Sequence, residues 1–277
     1  MVCVNMLEPN PIGLEKVPNA RELGGYVLPD GGVIRQGKLL RGGLLCQATD
    51  ADLKRLRDGF HLSHVFDFRT DFEVKHTPDP MIPGVKSTWL PTIDPQMEKL
   101  GTATLPAEAY RNLPTYLLAH ASSPKVQDIA RHIYTEMVVN EYTQLQYAAF
   151  LQSIINTPEG AVYWHCSQGK DRTGLGSAFL LAALGADEEL IIADFNMSNV
   201  FYQDEINALN ERIRANGGGV EEEKVVQTFV GVNTDYFIDA LRLIDANYGS
   251  LDDYLTQQLC LTDEDRQVLK NRYLEYQ

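Results

Sequence analysis

A cysteine and an arginine lie six positions apart where an apolar segment gives way to a glycine-containing turn. The string reads His165-Cys166-Ser167-Gln168-Gly169-Lys170-Asp171-Arg172-Thr173-Gly174. A cysteine thiolate is a reactive nucleophile, and a guanidinium can hold two oxygens of a phosphate at once. A curled loop of this length can return the Arg172 side chain to a group bound beside Cys166. The pair therefore predicts attack on a phosphate ester.

The elements around this string are predicted to be a strand, a loop and a helix. Residues 161–165 are an apolar strand pattern, and residues 173–184 are an apolar helix pattern that Gly185 ends. Free N–H groups and the dipole at a helix start favour a bound anion and lower the pKa of a nearby thiol. Gly169 and Gly174 allow tight turns and close packing. A lone cysteine after a strand is usually a small buried hydrophobe, but the complete string favours the functional interpretation.

The composition indicates one folded domain over residues 1–277. Hydrophobic residues make up 44% of the chain, and the formal net charge is −14. The acidic balance disfavours non-specific nucleic-acid binding, which needs a basic face. Apolar runs of transmembrane length, about 18 residues, do not occur, so we expect no integral membrane association.

The cysteines favour a reducing compartment over a disulfide framework. They are widely spaced, without a CxxC pair or metal-like clustering: Cys3, Cys46, Cys166 and Cys260. The N-terminal residues 1–17 lack a basic region followed by an apolar one, so we expect no signal peptide. The cytoplasm is the expected location, with secretion without a classical signal left open.

The remaining pattern predicts early strands and later helices, typical of an α/β fold with a central sheet. A hairpin is expected around Pro29–Gly32, a capping box at Thr49 and Asp52, and a buried strand over residues 64–69. Helices are expected near residues 147–155, 187–199, 204–215 and 235–247, and after the capping box of Thr262 and Asp265. Residues 91–140 are less regular and are interpreted as an insertion.

The string from His165 to Gly174 resembles the signature of the protein-tyrosine phosphatase superfamily, and its fuller form resembles the bacterial atypical tyrosine/lipid phosphatases. Further segments resemble that branch: Asn19–Tyr26, Leu39–Leu44, Asp67–Thr70, Tyr248–Ser250 and Leu255. Gly42 departs from the pattern, in which serine is more usual. The resemblance implies a central sheet flanked by helices, a helical C-terminal part and a variable lid-like insertion at about residues 95–140.

The resemblance also assigns roles within the string. It implies Cys166 as nucleophile, Arg172 as the phosphate ligand, and Asp171 as the acid and base that serves the leaving oxygen and the attacking water. Asp171 could instead only hold Lys170 or Arg21 in place. Asp94 is a rival acid, although its position before a proline equally suits an ordinary turn.

The other residues of the string are predicted to support phosphate binding. The predicted phosphate-binding residues are Ser167, Gln168, Gly169, Lys170, Asp171 and Arg172. Lys170 would add a second cation, which the resemblance associates with phosphoinositides, or it is a surface lysine. His165 is expected to orient the loop backbone, and Thr173 to donate its hydroxyl to the Cys166 sulfur. Arg21 and Arg69 either buttress the pocket or form structural ion pairs. We expect neither a metal nor a cofactor.

The predicted activity is hydrolysis of phosphotyrosine, and of phosphoinositides, through a phosphocysteine intermediate. The partners would be a phosphorylated protein or phospholipid as substrate, and inorganic phosphate as product or inhibitor. Three alternatives stay open. They are a phosphatase of inositol polyphosphates or nucleotides, a phosphate-binding module without catalysis, and a rhodanese-like sulfurtransferase, against which the Arg172-Thr173-Gly174 ending argues.

Overall fold

A five-stranded sheet forms the centre of the fold. A computed structural model describes residues 7–96, 124–157 and 159–276. The strands are β1 (Arg21–Glu22), β2 (Val33–Ile34), β3 (Leu39–Gly42), β4 (Leu62–Asp67), β5 (Lys86–Trp89), β6 (Ala161–His165) and β7 (Leu274–Glu275). The sheet order is β1-β3-β6-β4-β5, with β1 antiparallel and the other neighbours parallel. The predicted α/β fold is confirmed.

Helices flank this sheet in the described parts of the chain. They are α1 (Asp50–Lys54), α2 (Asp71–His76), α3 (Pro124–Val139), α4 (Glu141–Ile155), α5 (Asp171–Leu184), α6 (Glu188–Phe201), α7 (Gln203–Ala215), α8 (Val220–Phe229), α9 (Thr234–Tyr248), α10 (Leu251–Gln257) and α11 (Asp263–Tyr273). A π-helical turn, Arg55–Gly59, continues α1. No helix of the described residues is long and apolar enough to cross a membrane.

The central strand β6 fixes the position of the string that follows it. All five of its residues are buried, which suits the continuous apolar run of a parallel strand covered on both faces. Trp164 pairs with Arg41 on one side and Phe66 on the other. The carboxyl ends of β3, β4 and β6 therefore meet at one edge of the sheet, where ligands bind in open α/β sheets.

Helix α5 contains the last residues of the string, from Asp171 to Gly174, and continues into the core. Most of its residues are buried, among them Leu175, Phe179 and Leu180. A Cβ at Gly174 would lie 2.7 Å from the ring of Phe195, so only glycine permits this close approach of α5 and α6. Gly185 ends the helix in the left-handed conformation, as predicted.

Several local predictions are confirmed. The capping boxes of Thr49 with Asp52 and of Thr262 with Asp265 begin α1 and α11. The predicted hairpin is a turn in which Leu28 N donates to Gly32 O at 2.8 Å. The hairpin extends past the turn, where Val27 bridges Val33 and Ile34 N donates to Tyr26 O at 2.9 Å, and β2 also pairs with β7.

The interpretation of residues 91–140 as an irregular insertion is wrong for its last part. Helix α3 is regular, and Tyr134, Met137 and Val138 lie in the main core. Their i, i+3, i+4 spacing is a short helical stripe. Residues 97–123 lie outside the described residues, so most of the predicted lid at residues 95–140 does too, and that lid stays a prediction.

Helices α7 and α8 form a hairpin with a small core of its own. Tyr202, Ile206, Val226 and Val230 pack together apart from the main core. The predicted linker Gly217–Gly219 joins the two helices. The end of α8 joins the main body, because Phe229 packs against the main core and Val232 lies within it.

Candidate active site

Residues 166–170 form a loop between β6 and α5, called the phosphate loop here. Gly169 has φ of +66°, and a Cβ there would overlap the backbone of Gly42 and Gly43. Only glycine therefore suits this position. At Gly42 itself a Cβ would overlap the hydroxyl of Tyr163, which donates to Gly43 O at 2.6 Å. That hydroxyl fills the space that a serine side chain would need.

The carbonyls of the phosphate loop bind to surrounding protein. Ser167 O accepts from Leu44 N at 3.2 Å, and Gln168 O accepts from Tyr202 Oη at 2.8 Å. Gly169 O accepts from Asn19 Nδ2 at 2.8 Å and Arg41 Nη2 at 2.9 Å. Because the N–H and C=O of a trans peptide point opposite ways, the N–H groups of these peptides point into the loop. They form a cradle suited to an anion.

Cys166 is the buried thiol of this cradle. Burial opposes its ionisation, but the charge of Arg172 and hydrogen bonds from Thr173 bring the pKa of the thiol below its ordinary value. The hydroxyl of Thr173 is buried beside the thiol and contributes to the lower pKa of Cys166. The role predicted for Thr173 in the release of the thiolate stays a prediction.

Arg172 is held by a carboxylate that the sequence analysis did not single out. Its Nη1 and Nη2 donate to Glu73 Oε2 and Oε1 at 2.6 and 2.8 Å. Ser167 Oγ donates to the same carboxylate at 2.5 Å. Burial alone would raise the pKa of Glu73. Arg172 and Ser167 have the larger, opposite effect, so the pKa lies well below its ordinary value. The available signal was the capping box of Thr70 and Glu73, which begins α2.

Asp171 begins α5 and receives a hydrogen bond from a second residue that the sequence analysis missed. The hydroxyl of Tyr134 on α3 donates to Asp171 Oδ1. The other carboxylate oxygen lies 3.9 Å from Lys170 Nζ. Arg21 pairs with Asp194, so Asp171 does not hold Arg21, whereas the alternative that Asp171 only holds Lys170 stays open.

Lys170 points away from solvent, which contradicts the alternative of a surface lysine. Its side chain is 5% exposed, and Nζ donates to Phe229 O at 2.5 Å and Gly231 O at 2.8 Å. Burial lowers the pKa of the ammonium. These carbonyls lie at and just beyond the C-terminal end of α8, where the helix dipole favours a cation. Lys170 thus ties the phosphate loop to the α7–α8 hairpin.

The buried carboxylate of Asp194 in α6 pairs with Arg21 of β1 and Arg41 of β3, near the phosphate loop. Arg41 Nη1 lies 2.5 Å from Asp194 Oδ2, and Arg21 Nε lies 3.4 Å from Oδ1. Burial lowers the pKa of Arg41 to about 10. Arg21 also donates to Asn19, which holds Gly169 O. Arg21 is therefore both an ion-pair residue and an indirect buttress of the loop.

His165 is buried between two carboxylates at the start of the loop. Its Nε2 lies 3.1 Å from Asp79 Oδ2, and its Nδ1 lies 3.1 Å from Cys166 O. Burial lowers the pKa of the imidazole, but Asp67 and Asp79 raise it above its ordinary value. Arg69 binds the same carboxylates, at 2.7 Å from Asp67 and 2.6 Å from Asp79. Arg69 is thus an ion-pair residue that holds Asp67 and Asp79 in place beside His165.

Asp94 has the contacts of a turn residue. Its Oδ1 accepts from Gln96 N at 2.8 Å, and its Oδ2 accepts from Asn140 Nδ2 at 3.3 Å. Asn140 caps α4. These contacts support the ordinary-turn alternative, whereas Asp171 lies in the string itself.

Comparison with known proteins agrees with this geometry. The chain is 31% identical over 268 residues to a protein of Cupriavidus necator assigned by name as a tyrosine-protein phosphatase, covering 95% of this chain and 88% of that protein. It is 28% identical over 241 residues to the triple specificity protein phosphatase PtpB of Mycobacterium tuberculosis, covering 80% and 86%. A profile described as "Tyrosine phosphatase family" matches residues 12–275. With its cysteine on the phosphate loop and its aspartate and arginine at the start of α5, the chain is a phosphatase that belongs to the tyrosine phosphatase family.

Proposed function

We propose that this phosphatase hydrolyses phosphotyrosine and phosphoinositides through a phosphocysteine intermediate. The observation that carries the proposal is the thiol of Cys166, whose pKa is lowered by Arg172 and Thr173 inside a cradle of inward-facing N–H groups. Such a cradle binds a tetrahedral anion and places its phosphorus in line with the sulfur. The phosphate loop thus supplies the nucleophile, and the first turn of α5 supplies the charge stabiliser.

The first step transfers the phosphoryl group to sulfur. The Cys166 thiolate attacks phosphorus while the P–O bond to the leaving group breaks, and protonated Asp171 gives its proton to the departing oxygen. Arg172 stabilises the charge that spreads over the equatorial oxygens. In the second step water attacks phosphorus, Asp171 accepts its proton, and the S–P bond breaks to release inorganic phosphate. Thr173 stabilises the departing thiolate.

The substrate proposal combines the family with the basic residues of the loop. A relative is named a triple specificity phosphatase, which supports a site that accepts more than one class of phosphomonoester. Lys170 is the second cation of the loop, and release from its carbonyl partners would let it reach a second phosphate of an inositol headgroup. The free thiols Cys46, Cys166 and Cys260 support a reducing compartment such as the cytoplasm.

The test is phosphate release from phosphotyrosine peptides, phosphoserine peptides, phosphoinositide vesicles, soluble inositol polyphosphates and nucleotides. The wild-type protein is expected to act on the first and third substrates, and Cys166→Ser is expected to release no phosphate above background. Trapping of a ³²P-labelled protein by acid quench, absent in Cys166→Ser, would identify the phosphocysteine. Preference for inositol polyphosphates would replace the substrate proposal, and wild-type inactivity across the panel would refute the function.

The acid role of Asp171 has its own test. Asp171→Asn is expected to lower kcat by about a hundredfold on phenyl phosphate, whose leaving group needs a proton, and far less on dinitrophenyl phosphate. Asp94→Asn is the matched control. If Asp94→Asn alone shows this selectivity, the acid has been assigned to the wrong residue.

A further inference from the structure

We propose that Tyr134 is a positioning residue that selects which oxygen of Asp171 carries the catalytic proton. The inference rests on the proposed acid role of Asp171. It extends the site beyond the phosphate loop to α3. The evidence is the contact itself, the packing that fixes the phenol, and the different surroundings of the two carboxyl oxygens.

The phenol is fixed in place by its surroundings. Tyr134 is 6% exposed, and its ring lies 6.2 Å from the ring of Phe195 and 6.3 Å from that of Tyr236. Phe195 in turn stacks on Phe237 at 4.0 Å. These contacts come from α6 and α9, so three helices determine where the hydroxyl lies. Its hydrogen bond to Asp171 joins α3 to the first residue of α5.

The hydroxyl remains a donor throughout the reaction. Burial, followed by the charge of Asp171, raises the pKa of Tyr134 well above its ordinary value. The phenol therefore keeps its proton whether Asp171 is ionised or protonated. A hydrogen bond from a fixed donor occupies Oδ1 as an acceptor in both states.

This arrangement distinguishes the two oxygens of the acid. A protonated carboxyl group has one hydroxyl oxygen and one carbonyl oxygen, and the oxygen that accepts from Tyr134 is the better carbonyl oxygen. The catalytic proton then resides on Oδ2. The Asp171 side chain is 30% exposed, so that proton can reach a leaving group entering from solvent. Without the phenol the carboxyl group can rotate, and only part of its population presents the proton correctly.

The expected effect is selective for poor leaving groups. Tyr134→Phe removes only the hydroxyl and keeps the ring that packs on Phe195. We expect kcat on phenyl phosphate to fall by about tenfold, a fraction of the full effect of general acid catalysis, and kcat on dinitrophenyl phosphate to change by less than about twofold. A purely structural role for Tyr134 would lower both rates together.

The matched control is Tyr254→Phe. Tyr254 is also a buried tyrosine, and its hydroxyl donates to Val138 O of the same helix α3 at 3.0 Å. We expect this variant to keep the leaving-group dependence of the wild-type protein. Inhibition by inorganic phosphate, which reports the cradle, is expected to be unchanged in both variants. A second variant, Tyr134→Met, removes the hydroxyl with a flexible apolar side chain and is expected to repeat the selectivity if Tyr134→Phe does not fold.

A double variant completes the test. If Tyr134 acts through Asp171, then Tyr134→Phe added to Asp171→Asn lowers kcat on phenyl phosphate no further than Asp171→Asn alone. Multiplicative losses, or equal losses on both substrates, would overturn the positioning role. If Asp171→Asn itself shows no leaving-group selectivity, the proposed acid fails instead, so the two failures are distinguishable.

Discussion

Glu73 offers the sharpest test of how the phosphate-binding arginine is positioned. Its carboxylate receives both Nη groups of Arg172, so Glu73→Gln keeps the shape of the side chain and removes its charge. The amide retains one acceptor but turns an N–H₂ group toward a guanidinium donor. We expect Arg172 to lose its fixed orientation and to follow the transition-state charge less well.

The magnitude follows from the geometry of the pair. Two unit charges about 4 Å apart interact by about 4 kcal/mol at an effective dielectric constant of roughly 20. The two side chains are 13% and 26% exposed, so water and the remaining hydrogen bond replace part of this interaction. A net loss of about 2 kcal/mol corresponds to a decrease in kcat/KM of about thirtyfold, since about 1.4 kcal/mol is tenfold.

The assay is kcat/KM for an aryl phosphate, with Glu223→Gln as the matched control. Glu223 forms the same bidentate pair with Arg214, at 2.7 and 2.9 Å, on the surface of the α7–α8 hairpin. The control is expected to change kcat/KM by less than about twofold, as is usual for exposed pairs. Unchanged kcat/KM in folded Glu73→Gln would refute the positioning argument. An increase would mean that Glu73 competes with the substrate for Arg172.

Two further predictions concern the supports of the loop. Thr173→Val removes a hydrogen bond that lowers the pKa of Cys166, so the acid limb of the kcat/KM profile is expected to move to higher pH; an unmoved limb would exclude Thr173 from thiolate stabilisation. Asp194→Asn leaves Arg21 and Arg41 without a buried counter-charge, and we expect a loss of about 3 kcal/mol in the free energy of unfolding at pH 7. Burial alone would raise the pKa of Asp194, but the two arginines lower it below its ordinary value. The stabilisation is therefore fully present at a pH above the ordinary pKa, and it is lost as the pH falls through the lower pKa of the folded state. The stability difference between the wild-type protein and Asp194→Asn should therefore shrink in strong acid, and chemical denaturation against pH checks this.

The sequence predicts the parts of this site whose determinants are local. The strand over residues 161–165 has the observed bounds, and the phosphate loop and α5 follow in the predicted order. Capping boxes at Thr49 and Thr262 are visible because the partners are three positions apart. The positions where strands, loops and helices start depend on residues that are neighbours in sequence, so the sequence pattern predicts them.

The residues that the sequence analysis missed act over long sequence separations. Glu73 reaches Arg172 across 99 positions, and Tyr134 reaches Asp171 across 37. Asp194 joins Arg21 and Arg41 across 173 and 153 positions. In the sequence alone, Glu73 is an ordinary glutamate near a helix start, Tyr134 is an aromatic residue of an irregular stretch, and Asp194 is a helix aspartate. Only the packing of the sheet and helices brings them to the phosphate loop.

The charges of the site explain how an acidic protein can bind a phosphate. Its net charge is −14, yet the described guanidinium groups around the loop each face a carboxylate, as Arg172 faces Glu73 and Arg41 faces Asp194. Paired cations contribute little net charge, so attraction of a dianion depends on the N–H cradle and the dipole of α5. The paired arginines instead fix geometry: one pair aims a guanidinium at the phosphate, and the other aims loop carbonyls outward. We therefore expect oriented dipoles to supply much of the phosphate affinity, with Arg172, held by Glu73, adding to them.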